Sequence, residues 1–283
     1  MFDAFVQSYA ALQQAGVENA AFEALRLLDV LSGGVLRNTA VSLPPTLDLT
    51  YLAQQRQAGT PLEYILGQAV FMGQTFICTS DTLIPRQETE LLANVALNMV
   101  QQIQETTPAL TIADIGTGCG NLALTLAAHT QNVHVLASDI SETAVAIAQQ
   151  NRDHMQLQER VTLFCGDMFA PLVAAAHEQL DMVVCNPPYI PTSSLDKLAP
   201  EIIDHEPVVA LDAGAYGLNI FRKLIADALD ILRPGGGLAF EIGEGQEKLV
   251  ERLLQRSGGY ENILQHRDAA GNVRVFSAYK AAK

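Results

Sequence analysis

The sequence predicts an α/β protein: a mostly parallel sheet flanked by helices from about residue 110 onward, with a small helical domain in front of it. Three observations carry that prediction. Short apolar runs alternate with segments of helical periodicity between Leu110 and Gln255, the pattern of a parallel sheet with crossover helices. The first three runs each have an acidic residue at or near the carboxyl end (Asp114, Asp139 and Asp167), so polar groups collect at one edge of the expected sheet. Residues 1–66, by contrast, carry helical spacing and no strand-like alternation.

Taken in order, Phe2, Phe5, Val6, Tyr9 and Leu12 recur at helical spacing, and Ala21 to Leu31 repeats the pattern until Gly33-Gly34 stops it. After Leu43-Pro44-Pro45 a third helix is expected from Thr46 to Gln57. Thr60-Pro61-Leu62-Glu63 matches a capping box with proline at the first helical position. The period then changes. Val70 to Thr79 reads as a hairpin turning at Gly73-Gln74, and a helix opening near Glu88 runs to about Gln104. Strands follow at Leu110–Ile115, Val133–Ser138, Val161–Phe164, Leu180–Cys185 and Leu238–Ile242. The helices between and after them are Asn121–His129, one capped by Ser141, Asn219–Leu232 and Gln246–Gln255. Ile263–Arg267 and Val273–Tyr279 read as a closing antiparallel pair. The chain thus divides into a helical domain (1–67), a hairpin linker (68–87) and an α/β domain (88–283). The helical domain carries no chemistry of its own; a stabilising bundle and a substrate-recognition module both fit it.

A length of 283 residues suits one or two domains with an ample core. The net charge of −14 argues against nonspecific nucleic-acid binding, whose affinity comes mainly from Lys and Arg on phosphates. The four cysteines form no C-x-x-C pair, so neither a disulfide framework nor a zinc site is expected, and no metal. Met1 to Gly16 holds Asp3 but no Lys or Arg, unlike a signal peptide, and no apolar run reaches spanning length. The expectation is a cytoplasmic protein, away from membranes, with reduced thiols.

Chemistry concentrates where the fourth strand runs into Asn186-Pro187-Pro188-Tyr189. Prolines fix φ and push the preceding residue out of the helical region, which makes a stiff corner. Asn186 offers a carbonyl acceptor and an NH₂ donor. The carbonyls of Pro187 and Pro188 are further acceptors, able to grip a planar –NH₂ by both hydrogens, and Tyr189 offers a π face that attracts a cationic group such as a sulfonium methyl. The combination suits methyl transfer from S-adenosylmethionine to an amide or exocyclic amino nitrogen; a rigid turn with a satisfied Asn is the plainer alternative.

The turn Asp114-Ile115-Gly116-Thr117-Gly118-Cys119-Gly120 supports the first reading. Its spacing is G-x-G-x-G, not the dinucleotide G-x-G-x-x-G, and an acid just before it fits an ammonium better than a pyrophosphate. Asp139 stands where a carboxylate takes ribose hydroxyls, and Asp167 where one accepts from an adenine amino group. Arg86, Glu88 and Glu90 beside Pro85 are candidate substrate residues, although acids in a helix's first turn also suit its dipole.

With these motifs in hand, the chain resembles the bacterial protein-(glutamine-N5) methyltransferases that act on peptide chain release factors. The resemblance spans essentially the whole length. It rests on Gly59 to Gly67, Ile84-Pro85-Arg86 with Glu88-Thr89-Glu90, Asp114 to Gly120, Asn186 to Ile190, Glu206-Pro207, Ala210-Leu211, Gly217-Leu218, and Glu241-Ile242-Gly243 with Gln246. It implies a class I S-adenosylmethionine-dependent methyltransferase fold, Rossmann-like with a seven-stranded, mostly parallel sheet, behind a small N-terminal helical domain. It implies that the turn with Gly116, Thr117, Gly118, Cys119 and Gly120 holds the methionine moiety, Asp139 the ribose, and Asp167, Met168 and Phe169 the adenine side. Asn186, Pro187, Pro188 and Tyr189 would hold the side-chain amide of a glutamine carried in a Gly-Gly-Gln loop, with the helical domain helping to dock the release factor and the enzyme acting as a monomer. The chain departs from the family pattern at Gln87, His205 and Tyr216, with Met168 where a bulkier residue is common. These departures keep open a relative that methylates another amide. A nucleic-acid amino-methyltransferase is the remaining alternative, disfavoured by the charge and the absence of a basic stripe.

Overall fold

The computed structural model describes residues 2–17, 19–31, 49–173, 179–214 and 217–282. Helices α1 (Phe2–Gln14), α2 (Ala20–Leu31), α3 (Leu49–Gln57) and α4 (Leu62–Leu66) bury Leu12, Ala24, Leu27, Leu52, Leu62 and Leu66 against one another. Gly33-Gly34, Leu43-Pro44-Pro45 and the expected helix start at Thr46 lie outside the described residues. The capping box does not form. Pro61 keeps an extended ψ of 141°, so the helix begins one residue later, no side chain caps it, and the Thr60 hydroxyl donates to Gln55 Oε1 at 3.3 Å.

Strands β1 (Gln68–Phe71) and β2 (Gln74–Ile77) form the hairpin, starting two residues earlier than expected. Met72 (φ 49°) and Gly73 (φ 75°) take the left-handed pair of conformations that a two-residue turn requires. Helix α5 (Thr89–Gln104) follows, then β3 (Leu110–Ile115), α6 (Asn121–His129), β4 (Val133–Asp139), α7 (Glu142–His154), β5 (Val161–Cys165) and β6 (Leu180–Cys185). After the short α8 (Pro200–Ile203) come α9 (Asn219–Ile231), β7 (Leu232–Glu241), α10 (Glu247–Ser257), β8 (Tyr260–Arg267) and β9 (Val273–Lys280). Strand β7 starts six residues before the expected Leu238. The Pro-Gly-Gly-Gly run is absorbed as an irregular stretch between the pairs Leu180–Leu232 and Met182–Gly237 instead of separating helix from strand.

The sheet order is β5-β4-β3-β6-β7-β9-β8, with β9 antiparallel to both β7 and β8 and the rest parallel. Strand order reverses direction between β3 and β6, and the crevice beyond the carboxyl ends at such a point is where open α/β sheets bind ligands. Alternate residues fill two cores. Ile112, Val135, Met182 and Val184 meet Leu92, Val100, Leu122 and Leu126 on one face; Val183, Leu238 and Phe240 meet Phe221, Leu224, Val250 and Leu254 on the other. Among the described residues no helix is long and apolar enough to cross a membrane.

Asn151 of α7, buried, ties the hairpin to the sheet edge that carries the glycine turn. Its Oδ1 accepts from the Ile77 amide at 2.6 Å, and its Nδ2 donates to the carbonyls of Ile77 (3.0 Å) and Cys119 (2.8 Å). Asn151→Ala is therefore expected to lower the unfolding free energy by about 3 kcal/mol, since buried backbone groups lose their partners. Urea denaturation measures this; a loss below about 0.5 kcal/mol would mean that water replaces the clamp.

Candidate active site

The parallel register sets the site. Ile115 pairs with Ser138 and with Cys185, and Cys185 pairs with Phe240, so Gly116, Asp139, Asn186 and Glu241 follow at one level. Gly116 and Gly118 have φ of 72° and 56°, which explains the glycines; a Cβ on Gly120 would come within 3.1 Å of Leu124 and 3.3 Å of Ala148, which explains the third. Asp114, fully buried under this turn, accepts at Oδ2 from Thr117 Oγ1 (2.7 Å) and the Ala123 amide (3.1 Å), while its Oδ1 has no partner. Burial pushes its pKa up to about 7, against the pull of those two donors. Asp139 accepts from the Gly118 amide (2.8 Å) at one oxygen and the Ser141 amide (2.9 Å) at the other, and burial raises its pKa too. Each of its oxygens retains a free lone pair for a hydroxyl.

Two cavities meet at the Asn-Pro-Pro-Tyr corner. The first, about 290 Å³, is lined by Gly116, Thr117, Gly118, Asp139, Asp167, Met168, Asn186, Pro187, Pro188 and Arg86. Its remaining walls include Asp81 to Pro85, Thr89, Ile140, Pro207, Val209 and Ala210. The second, about 260 Å³, is lined by Glu88, Tyr189, Ile190, Leu198, Ile202, Leu211 and Arg274. Leu83, Arg86, Asn186, Pro187 and Ala210 belong to both. Arg86 is ion-paired with the buried Glu206 carboxylate, which pins the 81–86 wall to the 207–210 wall. The Tyr64 hydroxyl donates to the Thr82 carbonyl at 2.7 Å, and Arg56 bonds both Glu23 and Glu201, so the helical layer is tied to these same walls.

Several predicted residues stand elsewhere. Asp114, Cys119, Gly120 and Phe169 line neither cavity, being packed behind the turn and in the core. Glu90 also lines neither; its Oε1 accepts from the Met72 amide at 2.8 Å and anchors the hairpin, which corrects its candidacy as a substrate residue. Asp167 pairs with Lys223 at the rim. Tyr189 faces the second cavity, and Arg274 lies 5.8 Å from its ring centroid, so the cation expected for this ring is met within the chain. Gln87 is exposed, His205 lies against Gly59, and Tyr216 is outside the described residues.

The sequence reading passed over a buried network behind Asn186. Asn186 Nδ2 donates to Thr89 Oγ1 (3.0 Å), and Thr89 Oγ1 donates to Glu241 Oε2 (2.7 Å). The Tyr189 hydroxyl donates to Glu241 Oε1 (3.3 Å), and Arg274 lies 3.5 Å from that oxygen. Burial raises the Glu241 pKa, opposed by Thr89, Arg274 and Tyr189. A carboxylate closing an otherwise apolar strand was the available signal. Gln246 completes the frame: its Oε1 accepts from the Gly243 amide (2.8 Å) and its Nε2 donates to the Tyr189 carbonyl (2.9 Å).

The first cavity fits S-adenosylmethionine by its donor set. Gly116, Thr117 and Gly118 give it a wall of close-approaching backbone, and Asp139 on that wall suits vicinal hydroxyls. Among the described residues no cluster of His, Cys, Asp and Glu could hold a metal ion.

Comparison with known proteins shows the family. The methyltransferase small domain family matches residues 94–214. A release factor glutamine methyltransferase of Moorella thermoacetica is 43% identical over 80% of this chain and 77% of its own. Those of Geobacter sulfurreducens (37% identical, 87% and 85% covered) and Bacillus cereus (32% identical, 98% of each) extend the match to nearly full length. Among solved structures, the hMettl16 catalytic domain in complex with a MAT2A 3′UTR hairpin aligns over 92% of this chain and 91% of its own, with a TM-score of 0.58 at 17% identity. That likeness is one of fold.

Asp114 makes stability depend on pH. Its folded pKa of about 7 exceeds the ordinary 3.8, so stability present below about pH 3.8 is lost progressively as pH rises through 7. Asp114→Asn, which cannot ionise, should gain on the parent by on the order of 4 kcal/mol between pH 4 and pH 8. Urea melts of the two proteins across that range measure the difference; parallel curves would show that Asp114 ionises normally.

Proposed function

The chain belongs to the release factor glutamine methyltransferases, and from that premise we propose how its residues divide the work. The enzyme transfers a methyl group from S-adenosylmethionine to the side-chain amide nitrogen of a glutamine in a peptide chain release factor. The observation that carries the residue assignment is the pair of cavities meeting across Asn186 and Pro187. On our reading the first receives the cofactor and the second the glutamine side chain.

When bound, S-adenosylmethionine supplies a methyl group made electrophilic by its sulfonium. The Gly116–Gly118 backbone, braced from behind by Asp114, holds the methionine end, Asp139 holds the ribose hydroxyls, and Met168 and Asp167 flank the adenine. On the acceptor side an amide nitrogen is a weak nucleophile, because its lone pair is delocalised into the carbonyl. Asn186 Oδ1 and the Pro187 carbonyl accept the two amide hydrogens, which fixes the plane of the group and turns the nitrogen toward the first cavity. Such positioning is worth up to roughly 7–11 kcal/mol in ideal cases. The extra proton of the methylated nitrogen then leaves to water, so no strong base is required before transfer. Arg86 and Glu88 border the acceptor. Residues 1–67 form the module that docks the release factor, 68–87 link it to the transferase domain of 88–283, and the enzyme acts as a monomer on protein. The net charge of −14 supports a protein acceptor over nucleic acid.

The test is transfer from labelled S-adenosylmethionine to cognate release factors, with the modified residue mapped. Label is expected on the glutamine of the Gly-Gly-Gln loop; label on another amide would move the acceptor. Asn186→Ala should lower kcat by about a thousandfold or more while cofactor affinity, read by calorimetry, stays within about threefold. Retention of most activity would sink the positioning mechanism.

A further inference from the structure

We propose that Thr89 and Glu241 act as positioning residues, forming a polarity relay that dictates which end of the Asn186 amide faces the acceptor, and so selecting an amide acceptor over a carboxylate. The proposal rests on the reading of Asn186 as an acceptor-binding residue. The two ends of an Asn side chain have nearly the same shape and opposite hydrogen-bonding character, so packing alone does not choose between them. The choice is made two bonds away. Glu241 is fully buried, receives the Thr89 hydroxyl at Oε2 (2.7 Å) and the Tyr189 hydroxyl at Oε1 (3.3 Å), and has the Arg274 guanidinium 3.5 Å away. A carboxylate in that setting only accepts. Thr89 has a single hydroxyl hydrogen, and Glu241 takes it. The remaining Thr89 lone pairs can only accept, and they receive Asn186 Nδ2 at 3.0 Å. Asn186 is thereby turned with its NH₂ inward and its carbonyl toward the acceptor.

The consequence is selectivity. An outward Oδ1 welcomes the hydrogens of an –NH₂ and repels a carboxylate oxygen. A flipped Asn186 would set its own carbonyl against a Thr89 oxygen that has no hydrogen left to give, and would present an NH₂ to the acceptor. Thr89 stands at the first residue of α5 and Glu241 at the last residue of β7, so the relay joins the helix that opens the transferase domain to the strand beside the site.

The experiment compares Thr89→Val, Thr89→Ser and Glu241→Gln with the parent enzyme. Each is assayed for kcat and KM on a cognate release factor, for cofactor affinity, and for binding of the release factor carrying glutamine or glutamate at the modified position. Thr89→Val keeps the shape without the hydroxyl and should lower kcat by about thirtyfold or more, with cofactor affinity within about threefold of the parent. Thr89→Ser, which restores the hydroxyl, should return to within about threefold of parental kcat. Glu241→Gln can donate to Thr89, freeing the Thr89 hydrogen for Asn186 Oδ1, so the preference for glutamine over glutamate should narrow by about tenfold or invert. A Thr89→Val enzyme with parental kcat and parental discrimination overturns the relay even where Asn186→Ala is inactive. An active Asn186→Ala enzyme overturns the acceptor reading and the relay together. Should Glu241→Gln fail to fold, the Thr89 pair still decides.

Discussion

One constraint organises the centre of the proposed site, the shared level at which four parallel strands end. Ile115, Ser138, Cys185 and Phe240 are in register, and the next residues, Gly116, Asp139, Asn186 and Glu241, are those assigned roles in the proposed site. In a sheet buried on both faces, a slip of one residue would turn every side chain to the opposite face and empty both cores at once. The hydrophobic packing that stabilises the fold therefore also fixes the spacing between the glycine turn, Asp139, Asn186 and Glu241. No loop has to be rigid by itself for that spacing to hold.

Against this frame the chain keeps carboxylates in places where burial works against their charge. Asp114, Asp139 and Glu241 all have pKa values raised by desolvation. Structural acids are treated differently: Asp181 is ion-paired with Arg233 through Nε and also takes the Thr111 amide. Asp114 instead leaves one oxygen without a partner, and Asp139 is served only by backbone amides. Of the two, Asp139 lines the first cavity with lone pairs free for a ligand, whereas Asp114 lies sealed beneath the glycine turn. Glu241 differs from both, because its donors, Thr89, Tyr189 and Arg274, all come from within the chain.

The sheet and the corner were legible in the sequence because both depend on local patterning. Apolar runs of strand length alternating with helical spacing gave β3 to β6 to within a residue, while β8 starts three residues before the expected Ile263, and Asn-Pro-Pro-Tyr announces a stiff polar corner. Misreadings came where tertiary context overrode a local signal. Thr60-Pro61-Leu62-Glu63 has capping-box residues, yet the extended Pro61 delays the helix. Pro234 and its glycines look like a break, yet β6 pairs on either side of them and carries the strand through. Glu90 looked like a site residue and proved to be an anchor for the hairpin. Thr89 and Glu241 lie 152 residues apart, and no spacing rule connects them; only the sheet brings the end of β7 beneath the start of α5.

The corner itself shows why so much of the chain is spent on holding it. Two consecutive prolines remove two backbone donors, so the segment from Asn186 to Tyr189 cannot secure itself by a regular ladder. It is gripped from outside: Thr89 at the head of α5 takes the Asn186 side chain, Gln246 before α10 takes the Tyr189 carbonyl, and Glu241 of β7 with Arg274 of β9 takes the phenol. These contacts hold the segment where Asn186 and Pro187 line both cavities. On the proposed reading the prolines do more than stiffen the backbone: they place no N–H of their own beside the acceptors offered to an incoming –NH₂, and the surrounding elements supply the rigidity that the missing hydrogen bonds would have given.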